Sequence, residues 1–231
     1  MGQEGKIMTS LNDVSLIIAT YNEESSLDYV LSEIENYDFN EVIIVDGNSM
    51  DGTVSIAKKY GAKVISQSED GWGAAVLEGF ANATSKYLTY MDGDGSYRPT
   101  SIIEMKENIS EYDAIFGSRY KGGAKSPDDT YIRSLGNRIF TYTVRKLFNI
   151  DITDSLFFFP FIKKSDFDQI DPKSKDFTLC IEVPVLLKNL NLSYLDLLST
   201  ERKRYAGVTK VNALIDGTKI LYGIIKLKLR N

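Results

Sequence analysis

Two aspartates at the end of an apolar segment are the residues in this sequence best suited to chemistry. Asp92 and Asp94 close the run 87–91, Tyr-Leu-Thr-Tyr-Met, and side chains at positions i and i+2 of a strand point to the same side. Neighbouring carboxylates repel each other unless a cation or a proton relieves the repulsion. Mg²⁺ is typically held by one or two carboxylates together with substrate phosphates, so the pair predicts a metal site for a nucleotide diphosphate. Taken alone, this spacing is also common in solvated surface turns.

Composition limits the class of protein. A chain of 231 residues that is 43% hydrophobic and 26% charged can bury a large core and favours a single α/β domain. A net charge of −5 argues against a protein that mainly binds nucleic acid. The absence of histidine excludes Ser-His and Cys-His catalysis and argues against zinc chemistry. The single cysteine, Cys180, permits no internal disulfide and fits a reducing compartment.

The sequence also carries information on location. It contains no run of about 18 apolar residues that would span a bilayer, and residues 1–10 lack the apolar region of a signal peptide. We therefore expect a cytoplasmic protein. From Ser199 to Asn231, however, eight Lys or Arg residues stand against two acids, Glu201 and Asp216, which predicts a basic C-terminal region.

The first half of the chain alternates strand and helix patterns. Strands are predicted at 14–19, 41–46, 63–66, 87–91 and 113–117, with helices between them. Such alternation predicts parallel βαβ units, which bind ligands outside the carboxyl ends of their strands. Polar residues follow those ends: Thr20, Asn22, Asp46, Asp92, Asp94, Ser118 and Arg119. This convergence favours a site at one edge of the sheet.

The second half is less regular. Amphipathic spacing predicts a helix over 132–148. Residues 157–161 are strongly aromatic, and the pattern over 176–189 predicts a helix interrupted near Pro184. A last helix, about 211–229, places apolar residues on one side and most of its basic residues elsewhere. That pattern fits a helix that packs on the core or an interfacial helix at a membrane.

Five motifs occur in the order seen in family 2 glycosyltransferases. They are Ala19-Thr20-Tyr21-Asn22-Glu23-Glu24, residues 45–53, the Asp92/Asp94 pair, Gly117-Ser118-Arg119-Tyr120 and residues 204–210. Within that family the chain most resembles the polyprenyl-phosphate enzymes, the dolichyl-phosphate mannose or glucose synthase group. The resemblance implies a single GT-A domain: a Rossmann-like, mostly parallel sheet that binds a nucleotide sugar, with a C-terminal amphipathic helix.

The implied boundaries are a polar tail over 1–12, the GT-A domain over 13–210 and the basic amphipathic helix over 211–231. Within the domain, 13–120 is the nucleotide-sugar half and 121–210 the acceptor half. The resemblance places the enzyme at the cytoplasmic face of a membrane, in peripheral contact with it.

The resemblance also assigns roles to residues. The donor nucleotide sugar is expected to meet Thr20, Tyr21, Glu23, Asp46, Gly73 and Asp92. Mg²⁺ or Mn²⁺ is expected on Asp92 and Asp94. The expected catalytic residues are Asp94, Arg119, Arg204 and Lys210. The three cations among them are expected to contact the acceptor phosphate and the leaving diphosphate. The acceptor side is expected to include Ser118, Arg133 and Asp154. Asp51 and Gly52 are expected to hold a turn and to cap the following helix.

Five residues depart from the family pattern. Gly47 stands where many members have Asp, Trp72 where a cation is frequent, and Thr209 where Ser is usual. Phe157-Phe158 replaces a Ser-Gly pair beside the acceptor site.

The resulting prediction is an inverting transfer of a hexose from a GDP- or UDP-sugar to a polyprenyl phosphate. A phosphate acceptor is already anionic and needs no strong base, which suits a chain without histidine. Transfer to a saccharide hydroxyl would instead require a carboxylate base. A non-catalytic nucleotide-sugar binder is the third alternative. The sugar, the base, the polyprenol length and the oligomeric state stay open.

Overall fold

The computed structural model describes residues 9–124, 126, 131–207 and 213–230. For residues 9, 131–133 and 213–216 it describes the backbone alone. The strands are β1 (Thr9–Thr20), β2 (Tyr37–Asp46), β3 (Lys63–Ser66), β4 (Tyr87–Asp92), β5 (Ala114–Ser118), β6 (Pro160–Lys163) and β7 (Tyr194–Leu198). The helices are α1 (Glu24–Ile34), α2 (Thr53–Lys59), α3 (Trp72–Ala81), α4 (Thr100–Asn108), α5 (Tyr131–Phe148), α6 (Lys164–Ile170), α7 (Leu179–Asn189) and α8 (Ala213–Arg230). Short 3-10 helices cover Ile109–Glu111 and Lys121–Gly123.

All seven strands belong to one sheet in the order β3-β2-β1-β4-β6-β5-β7. Every pairing is parallel except those of β6, which runs antiparallel to β4 and β5. The predicted α/β class with a mostly parallel sheet is therefore confirmed. The chain turns from one half of the sheet to the other between β1 and β4, and ligands of such sheets bind in the crevice at that switch point.

Strand register brings the polar strand ends together. Ala19 pairs with Asp92 across β1 and β4, and Thr20 pairs with Asp46 across β1 and β2. The carboxyl ends of the three central strands therefore reach the same edge of the sheet. The turn that carries Asp94 begins at that edge.

Helices cover both faces of the sheet. Leu16 and Ile18 face a core formed with α1, α2 and α4, whereas Ile17 faces α3 and α7. All three are fully buried, as expected for a parallel strand covered on both sides. Helix α3 approaches β1 closely at Gly79, where an added Cβ would lie 2.4 Å from a methyl carbon of Ile17.

The structure differs from the sequence prediction at the first strand. Strand β1 begins at Thr9 because residues 9–11 pair with Tyr37–Phe39 before a register shift that ends at Ser15. Residues 9–12, predicted as part of a polar tail, therefore belong to the sheet.

Helix α7 runs from Leu179 to Asn189 without the predicted interruption at Pro184. Its neighbours Ile181, Val183 and Leu187 are fully buried. This packing on both sides of the helix outweighs the backbone hydrogen bond that proline removes.

Helix α8 packs on the core along one side only. Ile220, Ile224 and Leu227 are buried in a third core with α5 and α7. Leu221 and Ile225, by contrast, are 50% and 53% exposed. One side of α8 is therefore core, and another presents apolar side chains to solvent.

Candidate active site

The acidic pair lies at the end of β4. Asp92 is the last residue of the strand, and its carboxylate accepts a hydrogen bond from the Tyr90 hydroxyl. That hydroxyl accepts a hydrogen bond from the Trp72 indole nitrogen at 2.8 Å. Burial and the neighbouring carboxylate of Asp94 raise the pKa of Asp92 to about 7. The protein thus concentrates negative charge here at a cost that a cation would relieve.

Asp94 is buried and held from two sides. One carboxylate oxygen accepts the backbone N–H of Ser96 at 2.8 Å, and the other lies 3.0 Å from an Arg204 guanidinium nitrogen. The Asp94 carbonyl accepts the backbone N–H of Tyr205 at 2.8 Å. The segment after β7 is therefore tied to the acidic turn, which brings Arg204 to the site.

The pair fits a hard divalent cation. In the part of the chain that the structure describes, no group of three or more Cys, Asp or Glu side chains is placed to hold a metal. Asp92 and Asp94 would therefore supply two oxygens, and a diphosphate and water would complete the shell, as is usual for Mg²⁺.

A cavity of about 570 Å³ opens beside the pair. Its lining includes Thr20, Tyr21, Glu23, Gly47, Gln67, Asp70, Trp72, Tyr90, Asp92, Asp94, Phe177 and Arg204. The structure therefore brings together four of the predicted donor residues, Thr20, Tyr21, Glu23 and Asp92. We call this space the donor cavity.

Two predicted donor residues lie behind its wall. The buried Asp46 carboxylate accepts hydrogen bonds from the Thr20 hydroxyl at 3.2 Å and from the backbone N–H of Ser49 at 2.8 Å. Gly73 packs on another loop, where an added Cβ would lie 2.7 Å from the backbone carbon of Lys175. Both residues shape the cavity without lining it.

Asp51 holds the turn before α2, in agreement with its predicted structural role. Its carboxylate accepts the backbone N–H of Thr53 at 3.0 Å and that of Glu24 at 3.2 Å. The first turns of α1 and α2 are thereby joined beside the donor cavity.

A second cavity of about 120 Å³ adjoins the first and shares Trp72, Asp92, Asp94, Phe177 and Arg204 with it. Its other lining residues are Ser96, Tyr97, Arg119, Leu156, Phe157, Phe158, Cys180 and Glu201. The space therefore combines guanidinium groups with an aromatic wall. We call it the acceptor cavity.

Arg119 enters the acceptor cavity from a buried ion pair. Its guanidinium donates to both carboxylate oxygens of Asp154, at 2.7 and 3.0 Å, and lies 4.9 Å from the ring centre of Phe157. A third nitrogen is 3.8 Å from a Glu201 oxygen. Burial by itself lowers the pKa of Arg119, but the Asp154 carboxylate outweighs it and the pKa is raised. Asp154 therefore positions Arg119 and does not itself line the cavity.

The remaining predicted acceptor and catalytic residues are placed differently. The Ser118 hydroxyl is fully buried and accepts hydrogen bonds from the Tyr120 N–H and the Thr153 hydroxyl, so it lies behind the wall. Lys210 and the side chain of Arg133 lie outside the described residues.

Tyr90, Phe177 and Glu201 line the site and were not singled out from the sequence. Tyr90 carried a usable signal, since it lies two residues before Asp92 on the same face of β4. Phe177 and Glu201 belong to distant segments, and nothing in their local sequence indicates that they converge here.

Residues 15–171 match the sequence model of glycosyl transferase family 2. The chain therefore belongs to this family. Helix α8 lies outside the matched range.

Curated relatives include enzymes that act on dolichyl phosphates. The chain is 32% identical over 154 residues to glycosyltransferase AglJ of Haloferax volcanii, an alignment that covers 64% of this chain and 50% of AglJ. It is 36% identical over 131 residues to the dolichol-phosphate mannosyltransferase of Pyrococcus furiosus, with 53% of this chain and 37% of that protein covered. The chain thus spans half or less of the length of these two relatives. A UDP-N-acetylglucosamine–dolichyl-phosphate N-acetylglucosaminyltransferase of Methanococcus voltae is 25% identical, with 94% and 96% covered.

Solved structures support the GT-A fold. Glucosyl-3-phosphoglycerate synthase of Mycobacterium tuberculosis, solved with Mn²⁺, UDP and phosphoglyceric acid, superposes with a TM-score of 0.71 at 16% identity, covering 93% of this chain and 78% of that one. Mannosyl-3-phosphoglycerate synthase of Rubrobacter xylanophilus gives a TM-score of 0.69 at 17% identity, covering 94% and 72%.

Proposed function

We propose that this protein is a metal-dependent, inverting glycosyltransferase that moves a hexose from a GDP- or UDP-sugar to a polyprenyl phosphate. The observation that carries the proposal is the pair of joined cavities, which share Asp92, Asp94 and Arg204. One cavity is large enough for a nucleotide, and the other places arginine beside aromatic rings. The bond to the sugar would break where the two cavities meet.

The donor side fits a nucleoside diphosphate. Thr20, Tyr21 and Glu23 line the part of the cavity beyond the acidic pair and would contact the nucleoside. A divalent cation on Asp92 and Asp94 would neutralise the diphosphate as it leaves. Arg204, already within 3.0 Å of Asp94, would add positive charge at the same place.

The acceptor side fits a phosphate joined to an apolar chain. Arg119 and Arg204 offer hydrogen-bond donors to a phosphate, and Leu156, Phe157 and Phe158 supply an apolar wall. Such an acceptor is anionic at neutral pH, so alignment and charge stabilisation suffice for attack at the anomeric carbon. The names of the relatives from Pyrococcus and Methanococcus support a dolichyl-type phosphate. By its place in the family motif, Lys210 would contribute a further cation.

Glu201 favours a second candidate, transfer to a saccharide hydroxyl. Its carboxylate lines the acceptor cavity and accepts a hydrogen bond from the Ser126 hydroxyl at 2.5 Å. A hydroxyl acceptor needs a base to take its proton, and Glu201 is placed to be that base. Replacement of Glu201 by Gln separates the candidates, because only hydroxyl transfer would lose its base.

Product analysis tests the proposal. The protein is incubated with Mn²⁺ or Mg²⁺, radiolabelled GDP- or UDP-hexoses, and either polyprenyl phosphate or a panel of oligosaccharides. We expect label in the organic phase, at a rate that Glu201→Gln leaves within a few-fold. Asp92→Asn and Asp94→Asn should abolish transfer without a large fall in melting temperature. Label in saccharide alone would overturn the lipid acceptor, and nucleotide-sugar stabilisation without transfer to any acceptor would indicate a binding protein.

We further propose peripheral attachment to an anionic membrane through α5 and α8. Within the described residues we find no helix whose length and hydropathy would let it cross a bilayer. The two helices pack on each other and present exposed apolar side chains: Leu135, Ile139 and Tyr142 on α5, and Leu221, Tyr222, Ile225 and Leu229 on α8. Lys226 and Arg230 flank this surface and match anionic headgroups, each worth about 1 kcal/mol.

Flotation with anionic liposomes tests this attachment. Truncation of α8 is unsuitable, because it would remove Ile224 and Leu227 from the core. The triple variant Leu221→Ser/Ile225→Ser/Leu229→Ser changes exposed side chains only and should abolish flotation. Met50→Ser, at a residue 91% exposed on another part of the surface, is the matched control. Equal flotation of the triple variant and the wild type would refute the surface.

A further inference from the structure

A third cavity, of about 320 Å³, lies between α8 and the loop that precedes α7. It is lined by Lys173, Ser174, Lys175, Asp176, Thr178, Tyr222, Gly223, Lys226, Leu227 and Arg230. None of these residues lines the donor or acceptor cavity. Four cations face one carboxylate, and three hydroxyl groups accompany them. The space is therefore a basic, polar cavity apart from the site described above.

Two of the four cations have no carboxylate partner in the described part of the chain. Lys173 pairs with Asp171 at 2.5 Å, and Lys175 pairs with Glu69. For Lys226 and Arg230, no described Asp or Glu lies within ion-pair distance. They stand four residues apart on α8, so their side chains are neighbours on one face of the helix. Two adjacent cations repel each other, and a bound anion would relieve that repulsion.

Thr178 adds a second, independent observation. The residue is 3% exposed, and its hydroxyl has no hydrogen-bond partner among the described residues. Leaving a buried hydroxyl unpaired costs about 1–3 kcal/mol, and such groups usually have a partner. The Asp176 carboxylate is not the partner of this hydroxyl, because it accepts the Thr178 backbone N–H at 2.8 Å.

Gly223 lets Thr178 pack directly against α8. An added Cβ at this position would lie 2.0 Å from the Thr178 hydroxyl oxygen. Glycine inside a helix costs about 1 kcal/mol relative to alanine, yet any side chain here would collide with Thr178. The helix thus lacks a side chain next to the unpaired hydroxyl.

We propose that this cavity binds a phosphate-bearing anion. Lys226 and Arg230 supply its positive charge, and the Thr178 hydroxyl donates a hydrogen bond to one of its oxygens. The ligand is either a free phosphate monoester or the phosphodiester headgroup of a lipid. Tyr222 connects the cavity to the exposed apolar surface of α8, so both sources can reach it. The proposal does not depend on the transferase reaction, because no residue is shared.

Calorimetric titration of the full-length protein with inorganic phosphate and with glycerol 3-phosphate tests the free ligand. The titrations contain EDTA and are carried out at constant ionic strength. Vesicles with and without phosphatidylglycerol test the headgroup. Thr178→Val is the decisive variant, since it keeps shape and charge and removes only a buried hydroxyl. Lys226→Gln removes a cation that faces the cavity, and Lys58→Gln removes an exposed cation on α2 as the matched control.

We expect Thr178→Val and Lys226→Gln each to weaken binding at least tenfold, with Lys58→Gln unchanged and all melting temperatures close to wild type. If Thr178→Val loses affinity for both soluble phosphates, the ligand is a free phosphate. If it loses affinity only for the anionic vesicles, the ligand is a lipid headgroup, because this variant leaves the exposed surface of α8 unchanged. A Thr178→Val protein that binds every probe as tightly as the wild type would overturn the proposal. So would a wild type that binds neither soluble phosphate and does not distinguish the two vesicle types.

Discussion

Replacement of Tyr90 by Phe is expected to weaken metal binding at Asp92 and Asp94 in a protein that still folds. The Tyr90 hydroxyl is the link between the Asp92 carboxylate and the Trp72 indole nitrogen. Phenylalanine keeps the ring in its contacts with Trp72 and Phe158, whose ring centres lie 5.5 and 5.9 Å away. The variant therefore removes one oxygen and leaves the packing of β4 on α3 in place.

The loss of two hydrogen bonds sets the size of the expected destabilisation. A hydrogen bond to a carboxylate contributes about 1.5–3 kcal/mol, and the indole N–H that loses its acceptor costs about 1–3 kcal/mol where it is buried. Trp72 is only partly buried, so water can replace that acceptor. We expect a total loss of about 2 kcal/mol in stability and a melting temperature lower by about 4–8 °C in a chain of this size. Removal of a partner that orients a metal ligand typically lowers metal affinity by about 10–100-fold.

Paramagnetic resonance of free Mn²⁺, in the presence of UDP or GDP, measures the affinity directly. Tyr194→Phe is the matched control, because its hydroxyl accepts the Asp151 N–H at 3.1 Å on β7, away from the acidic pair. We expect Tyr90→Phe to lose at least tenfold in Mn²⁺ affinity and Tyr194→Phe to keep the wild-type value. A Tyr90→Phe affinity within twofold of wild type, in a folded protein, would refute the idea that this hydroxyl positions Asp92.

Two further predictions follow from the ion pairs of the site. Arg204→Ala should lower kcat/KM by about 100–1,000-fold, as for other preorganised donors, with little change in circular dichroism; a loss below threefold would remove Arg204 from the catalytic set. Asp154→Asn removes the carboxylate that accepts two hydrogen bonds from the buried Arg119 and leaves it the longer 3.8 Å contact with Glu201. The variant should destabilise the protein by about 3–5 kcal/mol, measured by urea unfolding. The double variant Asp154→Asn/Arg119→Met should recover most of that loss, and failure to recover would contradict a paired role.

The first half of the fold follows from local sequence signals, and much of the second half does not. Strands β2 to β5 were predicted because each is a compact apolar run followed by turn residues. Strand β6 was missed because it is four residues long and begins with Pro160, a residue depleted in strands. Strand β7 was missed because it is short, and its pairing with β5 spans 80 residues of sequence at Ala114 and Tyr194.

The same division holds for the site. Thr20, Tyr21 and Glu23 lie together because they share one loop after β1, which a sequence pattern can show. Whether a side chain at a strand end faces a cavity is decided by packing, which is why Asp46 lies behind the wall. Glu201 reaches the site only because Arg202 and Tyr205 donate backbone hydrogen bonds to Ser96 and Asp94, a long-range contact without a local signature.

The charge balance of the donor cavity gives a physical reason to expect that donor binding needs a metal ion. Four carboxylates line it, those of Glu23, Asp70, Asp92 and Asp94, and among the described residues Arg204 is the only cation that does so. A bound diphosphate adds at least two negative charges to this space.

In the family pattern a cation is frequent where this chain has Trp72. Here that residue stacks on Phe177, with ring centres 4.9 Å apart, and donates to the Tyr90 hydroxyl. The side chain thus orders the cavity wall and the acidic pair but contributes no charge. Coulomb repulsion between a diphosphate and these carboxylates therefore has to be offset by a bound cation. A divalent ion on Asp92 and Asp94 would offset it where the negative charge is densest. This argument favours a binding order in which the nucleotide sugar enters together with its metal ion.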